Sequence, residues 1–136
     1  MNKKDYAFTF VIPIFKKIFI LKKKYGKLSH EEQKIYMGNL LKNNVKNYVH
    51  EIFFEECENK SIHSHGSIFN ISESEMEIIQ ENICKEIGLN KKEQFDYTFS
   101  YKKIFNYNIW RQYCTKNQNN NKEDDELKEL EKELFG

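Results

Sequence analysis

Four side chains stand out for the chemistry they could do. His50, Cys57, His63 and His65 lie within a short stretch, and imidazole nitrogen and thiolate sulfur are the usual donors to zinc. A helix through this stretch would put His50 and Cys57 on one face, with the His-x-His pair in a following loop. The resulting C-x5-H-x-H order fits no established zinc spacing, so the expectation is that the chain holds no metal and no cofactor. Ser61, Ser64 and Ser67 stand beside the same histidines. With no orienting acid in view, they read as turn residues rather than as nucleophiles.

Downstream of these histidines, Ile71-Ser72 followed by Glu75-Met76 resembles the end of an EF-hand calcium loop and its exit helix. With Glu75 at the bidentate position, Ser64, Gly66 and Ile68 fall where oxygen ligands are needed, and Phe69 falls where the loop needs glycine. A degenerate, calcium-free EF-hand-like or other metal-binding module is therefore an alternative reading of residues 49 to 88. Nucleotide-binding loops of the G-x-x-x-x-G-K and G-x-G-x-x-G kinds are absent, as is a G-x-S-x-G elbow, in a chain with five glycines. No catalytic residue emerges, and the protein is expected not to be an enzyme.

The expected scaffold is mainly α: three to four helices around one long central helix, with a minor two-strand β element. Residues 8 to 12 alternate as in a short strand, and Pro13 opens a helix over 14 to 25. Ser29 and Glu32 read as a capping box. From there, Ile35, Met37, Leu40, Leu41, Val45, Tyr48, Val49, Ile52 and Phe53 recur at helical spacing, predicting a helix to about Glu58, ~40 Å long at 1.5 Å per residue. Residues 59 to 71 read as a loop, and Ser72 and Glu75 as a second capping box before a helix stopped by Gly88. Phe95, Tyr97, Phe99 and Tyr101 alternate as in a strand, and helical spacing returns from Ile104 to Tyr113. The predicted organisation is one domain over residues 1 to 114, an Asn-rich linker over 115 to 122, and an acidic helical tail over 123 to 136.

Composition narrows the function classes. Lysine supplies the positive charge except at Arg111, alanine occurs only at Ala7, and Asn, Ile, Phe and Tyr are abundant, as an A/T-rich genome would give. Three cysteines with no CxxC pair favour reducing surroundings, so an intracellular, cytoplasmic location is expected, with a mitochondrial one as alternative. The apolar run before residue 22 is broken by Pro13, Lys16 and Lys17, and no transmembrane span is expected.

Lys16, Lys17, Lys22, Lys23, Lys24 and Lys27 form a basic segment suited to nucleic acid or an anionic membrane. A formal net charge of +1 makes that peripheral binder an alternative rather than the first reading. Eleven Phe and eight Tyr are more than a small helical core needs. The favoured function is thus a non-enzymatic protein-protein interaction protein, an accessory or structural subunit of a larger assembly, meeting its partner through Tyr107, Trp110, Arg111, Leu127, Leu130 and Leu134.

Overall fold

In the computed structural model, residues 2 to 12, 28 to 56 and 62 to 118 are described, the side chains of the last two excepted. The framework is a four-stranded antiparallel sheet. Strands β1 (Lys4–Val11), β2 (His50–Glu56), β3 (Ile62–Ile71) and β4 (Phe99–Lys103) stand in the order β2-β3-β1-β4. The helices are α1 (His30–Val45), α2 (Glu73–Glu86), the single-turn α3 (Phe95–Thr98) and α4 (Tyr107–Gln118), with a 3-10 turn at Lys92–Gln94. The succession β1-α1-β2-β3-α2-β4 with these neighbours is the split β-α-β plan, to which α4 is added.

Strand alternation sorts the sheet into two faces. Tyr6, Phe8, Phe10, Ile62, Ile68 and Phe99 project to one side and form the main core with Met37, Leu41 and Val45 of α1 and Met76, Ile79 and Ile83 of α2. Across the other side lies α4, whose Trp110 and Cys114 pack on Ala7 and Phe53 in a second, smaller core. Gly66 stands where its neighbouring strands leave no room for a side chain. A Cβ there would stand 2.0 Å from the Glu51 carbonyl oxygen and 2.7 Å from the Phe8 ring.

Both helices of the main layer start as their sequences require. Ser29 and Glu32 exchange side-chain and backbone hydrogen bonds of 3.1 and 3.2 Å, and Ser72 and Glu75 do so at 3.2 Å each. Gly88, at φ 93°, ends the turn after α2 in a conformation that glycine adopts without steric cost. One extra β3 residue at the β1 pairing makes a bulge, where Asn70 takes a φ of 53° and its N–H donates to the Asp5 carboxylate at 2.9 Å.

The mainly α expectation is overturned. No central helix runs from Ser29 to Glu58: α1 ends at Val45, and residues 50 to 56 form a strand. The chain leaves the helix in the polar run around Asn43, Asn44 and Asn47. There the Asn44 side chain bonds the Leu40 carbonyl at 2.8 Å, competing with helical pairing. The His50–Glu56 strand is rich in β-branched and aromatic residues. Residues 62 to 71, expected as loop, form the longest of the described strands, so the helix-loop-helix outline of an EF-hand is replaced by a β-hairpin followed by α2. The expected strand over 95 to 101 begins only at Phe99, after the single turn of α3. Helix α4 continues through Gln118. The helix expected over 14 to 25, the basic lysines 16 to 27, Cys57 and the acidic tail lie outside the described residues.

Candidate functional site

The sheet face that carries α4 gathers the polar side chains. In register, Thr9 pairs with His65 and Ser100, Val11 with His63, Glu55 with His63, and Phe53 with His65. Period-two alternation therefore sets Thr9, Glu55, His63, His65, Ser100 and Lys102 on one face. Helix α4 packs chiefly over β2. Beside it lies a cleft of about 560 Å³, whose lining includes these six residues together with Trp110 and Tyr113.

His65 is the most constrained member, only 4% exposed. Its Nε2 lies 2.9 Å from the Glu55 carboxylate, its Nδ1 lies 3.1 Å from the Thr9 hydroxyl, and both ring nitrogens are thus satisfied. Edge-on contacts to Trp110 and Tyr113, with centroids 6.2 and 5.5 Å away, hold the ring in place. His63, half-buried, stands 6.3 Å from His65 centroid to centroid. Burial, the largest influence, pushes the His63 pKa below the usual histidine value; neighbouring Glu55 opposes this and His65 adds to it. His63 is therefore held neutral, with a ring lone pair, at neutral pH.

Taken together, Glu55, His63 and His65 offer one carboxylate oxygen and two imidazole nitrogens, all within 4.8 Å of one another. Thr9, His65 and Glu55 also repeat the hydroxyl, imidazole and carboxylate order of a nucleophilic triad. However, Thr9 sits mid-strand in β1, which is paired on both sides. Neighbouring backbone N–H groups are committed to the ladders and do not form an oxyanion hole around it.

The remaining sequence candidates are dispersed. His50 lies on the opposite sheet face, its Nδ1 2.8 Å from the Tyr48 carbonyl oxygen. Ser64 also points to the main core side and donates to the Phe53 carbonyl at 3.3 Å. Of the expected partner-binding residues, Trp110 is 1% exposed, and its indole N–H donates to the Gly66 carbonyl and the Ser67 hydroxyl at 3.0 and 3.1 Å. Tyr107 donates to the Glu51 carboxylate. Arg111 reaches the same carboxylate at 3.8 Å and lies over the Phe53 ring. Leu127, Leu130 and Leu134 lie outside the described residues.

Glu55 and Thr9 were not singled out from sequence. The signal that finds them is the pairing of an alternating strand with the His-x-His strand, legible only once residues 50 to 56 are read as β. Among the described residues, no helix is long and apolar enough to cross a membrane. No protein-family model, no curated protein and no solved structure matches the chain.

Proposed function

We propose that the protein is a small-molecule binding domain whose site is the cleft between the sheet and α4. One observation carries this reading: a cleft of about 560 Å³ in which Thr9, His63, His65, Ser100 and Lys102 converge beside the aromatic wall of Trp110 and Tyr113. A concave site with a few placed polar groups against aromatic side chains is the usual form of a ligand pocket. Lys102 and the two hydroxyls favour a polar ligand carrying an anionic oxygen, and Tyr113 and Trp110, stacked 5.6 Å apart, supply an apolar side. The reading assigns binding and no reaction.

Trp110, the single tryptophan, makes its fluorescence a local reporter. Titration with a panel of sugar phosphates, nucleotides and dicarboxylates should give a saturable change for at least one class, weakened by Lys102→Ala. A flat response across the panel, with thermal melts unmoved by every compound, would remove the proposal.

A protein-binding subunit is the second reading, favoured by Tyr97 and Phe105. They are 71% and 88% exposed and flank β4, an edge strand of the sheet. Edge strands are common sites of partner addition. Tyr97→Asp combined with Phe105→Asp should then abolish co-purification of a stoichiometric partner that the wild-type chain retains. A partner retained equally by both proteins would count against this face.

A further inference from the structure

We propose that Glu55, His63 and His65 form a binding site for one divalent transition-metal ion, zinc by its donor set, with an open coordination position on the cleft. The inference deepens the reading of the cleft as a binding site and rests on it. The donor geometry comes from the strands. His63 and His65 are two apart on β3 and share a face, and Glu55 is the register partner of His63 on β2. Ligand atoms of a tetrahedral zinc site, at bonds of about 2.0 to 2.2 Å, are about 3.4 Å apart. Here His65 and Glu55 are already 2.9 Å apart, and all three donors lie within 4.8 Å of one another.

Two further observations point to a ligand site rather than a buried polar pair. Thr9 lies 3.1 Å from Nδ1 of His65, on the nitrogen away from Glu55. With Nε2 bound to metal, Nδ1–H donates to that hydroxyl, the outer hydrogen bond that orients a metal-bound imidazole. In addition, three protein donors leave a fourth tetrahedral position, and all three donor residues line the cleft, as in zinc sites that keep one position for water or ligand. Two imidazoles with a single carboxylate suit zinc and neighbouring transition ions, and do not suit calcium or magnesium, which prefer all-oxygen shells.

The test uses the full chain, stripped of metal and titrated calorimetrically with zinc chloride, with cobalt(II) as a spectroscopic probe. The expected result is one saturable equivalent and the visible absorption of tetrahedral cobalt. Both should be lost in Glu55→Gln and in His63→Ala and retained in Cys57→Ser and His50→Ala. Because His65 is buried, Thr9→Val is the gentler probe of its role and should weaken binding roughly 10-fold to 100-fold. Circular-dichroism melts of each variant separate lost binding from lost folding, and His63→Gln replaces any variant that fails to fold. Absence of saturable binding, or binding removed only by Cys57→Ser or His50→Ala, overturns the metal site. An organic anion bound by the metal-free chain, with no saturable zinc or cobalt binding, would overturn the metal site while leaving the cleft as a binding site.

Discussion

The Trp110 indole N–H donates to the Gly66 carbonyl oxygen 3.0 Å away, tying the centre of α4 to a strand position where a side chain cannot fit. Trp110 is the largest side chain buried between α4 and the sheet. Trp110→Ala should cost ~3 to 5 kcal/mol by emptying this layer. Trp110→Phe, which keeps most of the volume and removes the donor, should cost ~1 to 3 kcal/mol. Urea unfolding followed by far-ultraviolet circular dichroism measures both, and equal, negligible losses would mean that α4 does not hold the sheet in solution.

Gly66→Ala should be more damaging than its single added methyl suggests. The new Cβ would stand 2.0 Å from backbone at Glu51 and 2.7 Å from the Phe8 ring, and backbone of a paired strand cannot move aside without breaking the ladder. Most of this protein should appear insoluble or lack a cooperative melt. Gly38→Ala serves as the control, since its nearest contact is the end of the Phe54 ring at an ordinary 3.5 Å and helix interiors favour alanine. A Gly66→Ala protein that melts like wild type would refute the packing.

Leu41 and Val45 are both fully buried in α1 against the sheet. Leu41→Asp or Val45→Asp removes a carboxylate from water with no partner, costing several kcal/mol against a total stability of ~5 to 15 kcal/mol. Neither variant should fold. Lys42 and Asn43, on the exposed side, should tolerate alanine within ~0.5 kcal/mol. Melting curves of the purified chain distinguish the two classes.

Alkaline pH should destabilise the fold. Burial first, then Asp96, pushes the Cys84 thiol from 9.0 up to about 12, and burial with nearby carboxylates pushes Tyr101 from 10.0 up to about 12. Cys114 is raised as well, again mainly by burial. For an acid raised in the folded state, the unfolded chain releases its proton first. Stability is then complete below the unfolded value and falls as pH rises, here between about 9 and 12. Melting temperature should decline steadily over that interval. In the Cys57→Ser background, iodoacetamide at pH 8 should modify neither Cys84 nor Cys114 until denaturant is added. Rapid labelling of the native protein would contradict their burial.

What the sequence disclosed was local. Capping at Ser29 and Ser72 and the stop at Gly88 depend on residues a few positions apart, and each stands where expected. The strand signals failed where the sheet is covered on both faces. In β2, Ile52 and Phe54 face the main core while Phe53 faces α4, so no polar alternation marks a strand and the apolar spacing also fits a helix. In β3, Ser64, His65, Gly66 and Ser67 have the composition of a turn, yet all four are buried. Their polar groups are satisfied by Phe53, Thr9, Glu55 and Trp110, partners on other elements that no local spacing within β3 discloses. The site was half legible for the same reason: His63 and His65 are close in the chain, whereas Glu55 and Thr9 join them only through strand register.

Because β1 occupies an interior place between β3 and β4, the earliest described strand must wait for the latest one. The β2-β3 hairpin can close on the microsecond scale from adjacent segments. Thr9 finds His65 only across a 56-residue separation, and Ser100 farther still. Until both arrive, Tyr6, Phe8 and Phe10 present an apolar strand with two open edges. Non-local closure of this kind slows folding and leaves aggregation-prone species to accumulate. Refolding yield should accordingly fall with protein concentration well before the native state itself loses stability.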